Sequence, residues 1–453
     1  MIAGAISLAG LLRALPVKGQ REKNGAITAR VRPPPPLTDR IAIAGAGASG
    51  IAAAHYLRNN GYQNVVIFER GDRIGGKCYT EKIDSLPYDL GATFVGSSYS
   101  EVRSLAKDFG IQFDPTGSDT VFMDNEEGTF QTPSLTAKIR MSLAAMAYII
   151  KIGSDRYEPL FQPGFKNLDS SLIMPFGDWI RLNSPMPSAL RSFFNYTFTP
   201  FGYGYMHEVP ACYAIKYYEK KFVSSLMRTG QAKHVSGGFQ SLWERIAQGM
   251  EIHLGAGLKR IQRRNDLVCV QAKGQPPQSF DHLILTCPLD QAANLMDCDD
   301  RERAVLSKVK YYFFHSLLVE VPANFPGVLG YVPVNFDRER AGHPLCWLRR
   351  FPQKNLALFY AFSEKESDLD SVVGSIYRDS DLYGWKLGRI VIASSWRHFP
   401  HFSNSDLKYG IYDVLEELQG SQRVYFAGEI MNFSTVEMVT RYSKALVERF
   451  FSR

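Results

Sequence analysis

The sequence predicts an α/β protein in which one nucleotide-binding domain is assembled from both ends of the chain. Three observations predict it. A glycine-rich turn, Gly45-Ala46-Gly47-Ala48-Ser49-Gly50, stands between an apolar strand and a helical run. A second apolar strand, "VYFAG", leads into an amphipathic helix within residues 423–451. At 453 residues the chain is long enough for two or three domains, so the middle is expected to form an inserted α+β domain.

The glycine-rich turn belongs to a strand–helix–strand unit of Rossmann type. The strand "IAIA" precedes it, and the second strand, "VVIFE", ends at Glu69. Gly45 allows the tight turn, Gly47 lets the backbone approach a pyrophosphate, and Gly50 lets helix and strand pack closely. Ser49 lies in the first helical turn, whose N–H groups face the phosphates. We expect Glu69 to bind ribose hydroxyls and to repel a 2′-phosphate, which disfavours NADP and leaves NAD and FAD open.

Charge and cysteine usage exclude several other functions. Residues 1–40 carry +5 of the formal net charge of +7, so the body has little excess charge and no basic stripe for nucleic acid. The six cysteines are scattered without a Cys-x-x-Cys pair, which indicates neither zinc nor a redox couple. We therefore expect no metal, and no protein partner is implied.

Residues 1–40 are expected to form a tail outside the folded body. The apolar run at 2–12 is too short to span a bilayer, and its basic residues follow it, unlike those of a secretory signal. An organelle-targeting peptide and a disordered tail without an address both fit, so the localisation is either an organelle or the cytoplasm. The prolines of "RPPPPL" (32–37) predict a stiff spacer before the body.

A second apolar run, "MSLAAMAYII" (141–150), stands between Arg140 and Lys151. It is also too short to span a bilayer. A core helix is the first interpretation, and a face that contacts a membrane and collects lipid is the alternative.

The residues that follow the second strand distinguish between NAD and FAD. "ERGDRIGGK" places Gly76 and the cation Lys77 shortly after Arg70, and this resembles the second phosphate-binding turn of the FAD-dependent amine oxidase superfamily. "YDLGATFV" (88–95) is similar to the turn of that superfamily that lies under the flavin. The resemblance implies cofactor contacts from its three central residues, Gly91, Ala92 and Thr93.

Two segments from the middle of the chain resemble the same superfamily. Residues 253–274 are similar to the strand pair whose backbone holds adenine, which implies a contact from Leu258. "FDHLILTCPL" (280–289) is similar to the strand that leads back to the cofactor, with Thr286 and Cys287 at its end.

The C-terminal segment provides the flavin end of the predicted site. Ser434-Thr435-Val436-Glu437 has the Ser-x-x-Glu pattern of a capping box and predicts that a helix begins there. The resemblance implies that Gly428 and Glu429 lie at the ribityl chain and that the helix start faces the flavin N1–C2 edge. Free N–H groups and the helix dipole would stabilise negative charge on that edge. Residues 423–451 contain no cysteine, so we expect non-covalent FAD.

These assignments give the predicted domain organisation. After the tail, the FAD-binding domain comprises 41–115, 232–299 and 396–453, and the substrate or cap domain comprises 116–231 and 300–395.

An unusual density of rings occurs inside the predicted cap. "FFNYTFTPFGYGY" (193–205) has seven aromatic residues in thirteen positions, together with Gly202 and Gly204, and no Leu, Ile or Val. Residues 196–222, which include most of this stretch, and the segments 396–410 and 426–451 resemble the flavin-dependent polyunsaturated fatty acid double-bond isomerases, and so does "GGKCYT" around Lys77. The likeness covers roughly residues 41–453.

The resemblance implies a reaction without net redox change. Oxidised flavin takes a hydride at N5 from the methylene between two cis double bonds, and the hydride returns to one end of the pentadienyl cation to give a conjugated diene. The implied substrate is an apolar lipid, a polyunsaturated fatty acid or its ester. The small Gly202 and Gly204 would leave room for the acyl chain.

The family pattern places Phe201 beside the reacting carbons, with Tyr203 and Phe198 next. Ring faces stabilise a nearby cation by about 0.5–2 kcal/mol, which aliphatic side chains cannot do. A plain aromatic core is the alternative. Trp396, Phe399 and His401 of "WRHFPHF" (396–402) are expected to form the other wall, with both histidines of this segment, His398 and His401, structural rather than catalytic.

One departure from the family pattern concerns the substrate carboxylate. The region expected to supply a basic clamp, "GSDTVFMDNEEG" (117–128), has no Lys or Arg. The family also has an aromatic ring that gates the substrate tunnel, and the matching position here is Leu226. Arg181, Lys220 and Lys221 are the substitute anchors, unless the substrate is a neutral ester.

Two other functions stay open at this point. One is a true oxidase or desaturase on an amine or a hydrocarbon, and the other is a flavin-binding protein without chemistry. Fold and flavin cannot separate these.

Overall fold

The computed structural model describes residues 33–453 apart from 118, 124–129, 132, 229–231, 265 and 366–368. The strands are β1 (Ile41–Ala44), β2 (Val65–Phe68), β3 (Thr80–Ile83), β4 (Leu86–Asp89), β5 (Phe113–Pro115), β6 (Thr120–Met123), β7 (Phe130–Gln131), β8 (Lys233–Val235), β9 (Glu251–His253), β10 (Leu258–Arg264), β11 (Leu267–Ala272), β12 (Gln278–Phe280), β13 (His282–Leu285), β14 (Lys310–Glu320), β15 (Leu329–Tyr331), β16 (Pro344–Leu348), β17 (Leu356–Ser363), β18 (Ile390–His401) and β19 (Val424–Phe426).

The α-helices lie between and after these strands, and six of them follow one another between β7 and β8. The helices are α1 (Ala48–Asn59), α2 (Ser100–Asp108), α3 (Leu135–Ile152), α4 (Glu158–Phe161), α5 (Phe176–Asn183), α6 (Pro187–Phe198), α7 (Ala211–Tyr217), α8 (Lys220–Arg228), α9 (Phe239–Ile246), α10 (Leu289–Leu295), α11 (Asp300–Leu306), α12 (Leu369–Tyr383), α13 (Asn404–Lys408), α14 (Ile411–Glu417) and α15 (Val436–Phe450).

A five-stranded parallel sheet forms the nucleotide-binding domain, in the order β19-β13-β1-β2-β9. Strands β1 and β2 are buried along their whole length, as expected for a parallel sheet covered on both faces. The first and last helices, α1 and α15, pack together, and the hydroxyls of Ser49 and Ser443 lie 2.8 Å apart in their contact. The two ends of the chain therefore build one domain, and the predicted fold class is confirmed.

A seven-stranded mixed sheet, in the order β18-β14-β17-β16-β15-β6-β7, carries the second half of the molecule. Its central strands are almost wholly buried, because both faces are covered. On one face Val372 and Ile376 of α12 pack against Trp347. On the other face Phe314 and Tyr360 pack near the segment that follows β4. This second face borders the candidate site.

Two predicted boundaries differ from the structure. The expected tail reaches residue 40, but Leu37 packs beside Gly61, and the Arg40 N–H donates to Asp281 at 2.8 Å. The last residues of the predicted tail therefore belong to the body, while residues 1–32 lie outside the described part of the chain. Strand β18 crosses the predicted boundary at 396, because it runs unbroken beside β14. The remaining domain boundaries stay a prediction.

The apolar run at 141–150 lies within the single helix α3. Among the described residues, no helix is long and apolar enough to cross a bilayer.

Candidate active site

The glycine-rich turn between β1 and α1 leaves no room for larger side chains. Gly45 has a φ of +113°, which L-residues rarely adopt. A Cβ on Gly50 would lie 2.0 Å from the Gly45 carbonyl oxygen. A Cβ on Gly76 would lie 3.0 Å from the Cα of Gly47, so the second glycine turn packs directly on the first. Bare backbone therefore lines this part of the site, as phosphate binding requires.

The ribose end of the predicted site lies after β2. The Glu69 carboxylate accepts hydrogen bonds from the N–H groups of Ala46 and Gly71, both at 2.8 Å, and is fixed beside the first turn. Arg70 is exposed and donates to Gln291 at 3.2 Å. Leu258 begins β10 nearby, because a Cβ on its neighbour Gly257 would lie 2.8 Å from the Cβ of Arg70. The residues predicted to hold ribose and adenine are thus neighbours.

The side chain of Ser49 points away from this cleft. It is buried and bonded to Ser443 of α15, so only its backbone is available to a phosphate. At the end of β13, the Thr286 hydroxyl donates to the Ala44 carbonyl at 2.8 Å, which places Thr286 behind the turn rather than in the cleft. Burial raises the pKa of the neighbouring Cys287 thiol to about 11, so this thiol stays protonated.

The predicted flavin-side turn is built against Lys77. A Cβ on Gly91 would lie 1.8 Å from the Lys77 carbonyl oxygen, and the Ala92 N–H donates to the same oxygen at 2.9 Å. Thr93 is buried with its hydroxyl 3.1 Å from the Tyr360 hydroxyl, so it connects the turn to the seven-stranded sheet.

A salt bridge joins the two ends of the chain at the site. The Lys77 ammonium lies 2.6 Å from the Glu429 carboxylate, and the Ser434 hydroxyl donates to the same carboxylate at 3.3 Å. Gly428 has a φ of +95° and packs against the Thr286 carbonyl. The structure thus brings together two predicted cofactor segments that are 352 positions apart.

The start of α15 differs from the predicted capping box. The N-cap is Thr435, whose hydroxyl accepts from the Met438 N–H at 3.1 Å, and Val436 is the first helical residue. The Glu437 carboxylate instead accepts from the N–H groups of Glu101 and Val102 at 3.1 and 3.0 Å. It caps α2 because the two helices meet there, which a local pattern cannot reveal.

Phe201 lies between the flavin-side turn and β18. Its ring makes an edge contact with Phe94, with the centroids 6.1 Å apart, and its carbonyl accepts from Nε2 of His398 at 3.1 Å. Burial lowers the pKa of His398 to about 3, so the imidazole is neutral. Phe94 follows directly after Thr93, so Phe201 lies next to the predicted cofactor turn.

Tyr203 connects the aromatic stretch to the start of α15. Its hydroxyl donates to the Ser434 carbonyl at 3.4 Å. Its ring centroid lies 4.9 Å from that of Phe433 and 5.3 Å from that of His398. We call Phe94, Phe201, Tyr203, His398 and Phe433 the ring box.

Phe198 lies between the ring box and the aromatic core. It is fully buried, and its ring centroid is 5.9 Å from that of Tyr203, 6.1 Å from that of Tyr218 and 6.3 Å from that of Phe176. Its role beside the substrate stays a prediction, as does the alternative of a plain aromatic core.

Gly202 and Gly204 do not provide space for an acyl chain, contrary to expectation. A Cβ on Gly202 would lie 2.6 Å from the Phe314 ring, and one on Gly204 would lie 2.7 Å from both Tyr312 and Val209. Both have positive φ, at +78° and +85°. They are glycines because the chain turns sharply against packed rings.

The predicted second wall divides into two parts. Trp396 faces the flavin-side turn, since its Nε1–H donates to the Leu90 carbonyl at 2.7 Å. Phe399 is fully buried, with its ring centroid 5.4 Å from that of Phe433. His401 packs on Tyr312 and bonds the Phe399 carbonyl at 2.9 Å, and burial lowers its pKa to about 4. His401 is therefore a neutral side chain bonded to backbone, and His398 is the histidine at the ring box.

The three substitute carboxylate anchors lie at the surface. Arg181 pairs with Asp178 at 3.2 Å, Lys220 donates to the Gly153 carbonyl at 3.3 Å, and Lys221 is exposed. None of these contacts involves the ring box. Half of the region 117–128, residues 118 and 124–128, lies outside the described residues.

Leu226 is half-buried on α8. The neighbouring Ser225 hydroxyl contacts that of Ser97, three residues beyond Phe94. This places the α8 segment near the ring box.

Sequence reasoning missed several residues of the site. Phe94 follows the selected Thr93, and His398 precedes the selected Phe399. Because side chains alternate along a strand, His398 lies on the same face of β18 as Trp396, and this was the available signal. It also missed Arg350, which forms a buried ion pair with Asp89 at 3.0 Å just before the flavin-side turn. No local signal links two residues so far apart in the chain.

The family of the chain follows from comparison with known sequences. A sequence model of the flavin containing amine oxidoreductases matches residues 48–354, more than half of the chain. The chain therefore belongs to this family, and it is an FAD-dependent enzyme.

Individual relatives resemble it over different lengths. The chain is 27% identical over 265 residues to a Mycobacterium tuberculosis protein named as a flavin-containing monoamine oxidase, AofH, which is 54% of this chain and 56% of the relative. It thus spans about half the length of that relative. It is 24% identical over 423 residues to the FAD-dependent oxidoreductase dpasF of Apiospora sacchari, covering 86% of this chain and 87% of that protein.

Among solved structures, the chain resembles a fatty acid isomerase from P. acnes that produces CLA. The TM-score is 0.86 with 28% identity, over 92% of this chain and 99% of the other. Cyclohexylamine oxidase from Brevibacterium oxydans has a TM-score of 0.63 at 17% identity, over 91% and 99% of the two chains, which shows the shared fold.

The residues of the site fit FAD. Gly50 and Gly91 occupy positions where a Cβ would collide with backbone at 2.0 and 1.8 Å, so bare turns are required at both places. The acids Glu69 and Glu429 lie at the two ends of this row of turns. Glu69 would hold the nucleotide end of FAD, and Glu429 would hold its flavin end.

Proposed function

We propose that this chain is an FAD-dependent isomerase that converts a polyunsaturated fatty acid, or its ester, to a conjugated diene. The observation that carries the proposal is the ring box beside the flavin-side turn. It presents aromatic and neutral groups, and His398 donates a hydrogen bond to the backbone carbonyl of Phe201. The alternative is an oxidase or desaturase, which family membership favours.

The chain's own residues would hold and stabilise the substrate. When bound, FAD supplies hydride acceptance and hydride return. The ring faces of Phe201 and Tyr203 would stabilise the substrate cation by about 0.5–2 kcal/mol each. His398 is neutral because burial lowers its pKa to about 3, so it would not repel that cation. The hydrogen bond from Tyr203 to the Ser434 carbonyl would hold the tyrosine ring in place.

The likeness to the P. acnes isomerase supports a lipid substrate. It extends over 92% of this chain with a TM-score of 0.86. Because the proposed substitute anchors lie at the surface, a neutral ester fits as well as a free acid.

The direct test is anaerobic incubation of the purified holoenzyme with linoleate, α-linolenate and methyl linoleate. Catalytic growth of conjugated-diene absorbance, without peroxide when air is admitted, supports isomerisation. Turnover of the methyl ester at the rate of the acid would indicate that no carboxylate clamp is used. Stoichiometric flavin bleaching without a conjugated product would refute isomerisation and favour the oxidase.

The variant Phe201→Leu tests the role of the ring box. We expect FAD binding to be kept and turnover to fall about 2- to 30-fold, the rate equivalent of one lost cation–π contact. Phe193→Leu is the matched control, since Phe193 lies in the same aromatic stretch and packs on Phe194 outside the ring box. Equal turnover in the wild type and Phe201→Leu would exclude a cation-stabilising role.

A further inference from the structure

One face of α3 exposes a continuous row of large apolar side chains. Of the ten large apolar residues that are exposed in the described part of the chain, half lie on this helix. They are Leu135, Ile139, Leu143, Met146 and Ile150, with 49% to 77% of each exposed. Their spacings are three or four residues, so they form a single stripe about 22 Å long. We call this row the α3 stripe.

The opposite face of α3 is anchored in the protein. Ala144, Ala145, Tyr148 and Ile152 are buried. The Tyr148 ring makes an edge contact with Phe194 of α6, with the centroids 4.8 Å apart. The helix is therefore fixed by its inner face, and the α3 stripe is presented outward by a folded scaffold.

The charged residues of α3 itself are all positive. Lys138, Arg140 and Lys151 are exposed on the same helix, and α3 contains no acidic residue. At 100° per residue, Lys138 lies on one side of the stripe, and Arg140 and Lys151 lie on the other. Such side chains can extend to the level of lipid headgroups while their methylene stems cover apolar surface.

We propose that α3 docks on an anionic lipid bilayer, lying in the plane of its interface with the α3 stripe inserted among the acyl chains. Apolar residues on one side and flanking cations match an acyl interior below a negatively charged surface. A second copy of the chain would match poorly, because a symmetric contact would place the same cations opposite one another without an acid on the helix.

Docking would place α3 between the membrane and α6, so that the aromatic stretch would lie one helix layer from the bilayer. Helix α6, on which α3 packs, ends at Phe198, three residues before Phe201. The docking surface itself is argued from exposure and charge alone, so it does not depend on the proposed isomerisation.

The test is flotation of the FAD-loaded full chain with vesicles of phosphatidylcholine, with and without phosphatidylglycerol. We expect binding to the anionic vesicles and a loss of about tenfold or more in Ile139→Gln/Leu143→Gln/Ile150→Gln. The matched control is Leu382→Gln, since Leu382 is 70% exposed on α12. This control should bind as the wild type does. Lys138→Gln/Arg140→Gln/Lys151→Gln should weaken binding only where phosphatidylglycerol is present.

Retained flavin absorbance will show that each variant is folded. Equal flotation of the wild type and the triple apolar variant would overturn the proposal, and so would a wild type that does not bind vesicles. A lipid-free dimer in sedimentation velocity that the same variant abolishes would assign the α3 stripe to a second copy and also overturn it.

Discussion

The variant Arg350→Met should destabilise the protein by leaving a buried carboxylate without its counter-charge. The side chains of Arg350 and Asp89 are 5% and 0% exposed, and the atoms that pair lie 3.0 Å apart. Asp89 also accepts hydrogen bonds from the Thr80 hydroxyl at 2.6 Å and the Phe239 N–H at 2.8 Å, which hold β3 and α9 to the start of the flavin-side turn. Removing one partner of a buried pair costs about 3–5 kcal/mol of unfolding free energy.

The destabilisation should depend on pH with a definite sign. Burial raises the pKa of Asp89 to about 6, above its ordinary value in an unfolded chain. A carboxyl whose pKa is raised on folding destabilises the folded state at high pH, and this cost is relieved as pH falls through the folded pKa. Without Arg350 that pKa rises further. Acidification from about pH 8 to about pH 5.5 should therefore recover part of the lost unfolding free energy.

The assay is urea unfolding followed by tryptophan fluorescence, at saturating FAD and at both pH values. Arg349→Met is the matched control. Arg349 is also buried, but it donates to the carbonyls of Phe325 and Pro352 and pairs with no carboxylate among the described residues. The loss of unfolding free energy in Arg349→Met should not depend on pH. The double variant Asp89→Asn/Arg350→Met should be more stable than Arg350→Met alone, because it removes the unpaired carboxylate. The reasoning would be refuted if Arg350→Met lost less than about 1 kcal/mol of unfolding free energy, or if the loss were equal at the two pH values.

Three further changes have definite expected outcomes. Gly91→Ala should abolish FAD retention on gel filtration, because its Cβ would lie 1.8 Å from the Lys77 carbonyl oxygen, and normal flavin content would contradict this. Glu437→Gln should weaken the capping of α2 by about 1 kcal/mol, seen as faster amide exchange in that helix only. Lys216→Met should speed proteolysis within 160–164, because the ammonium donates to three carbonyls there at 2.7–2.8 Å; an unchanged cleavage pattern would argue against this anchoring role.

The parts of the fold that the sequence predicts are those with a local physical cause. The turn needs a positive φ at Gly45 and has no room for a Cβ at Gly50, so only glycine fits at these positions. Its residue pattern therefore predicts both the strand before it and the helix after it. The pairing of Lys77 with Glu429 was not local, but each residue lies in a segment that resembles a known cofactor contact, and the structure brings the two together.

The parts that local patterns mispredict depend on neighbours distant in the chain. Glu437 has the spacing of a capping residue for its own helix, yet it caps α2 because α2 begins against α15. Gly202 suggests open space, but the rings of Phe314 and His398 occupy it. Along β18, Phe399 has a φ of +47°, which breaks the regular alternation and helps decide which histidine faces the ring box. Tertiary contacts settle each of these outcomes.

The ring box makes a prediction about the pH dependence of turnover. Burial lowers the pKa of His398 to about 3 and raises that of Tyr203 well above its ordinary value, so neither gains or loses a proton near neutrality. Hydride transfer to and from a lipid needs no proton exchange with these side chains. We therefore expect kcat for a conjugated-diene product to stay flat between about pH 6 and about pH 8.5, measured with methyl linoleate so that the substrate itself does not titrate. A bell-shaped profile would require a general acid or base in the site and would refute a reaction carried by neutral rings alone.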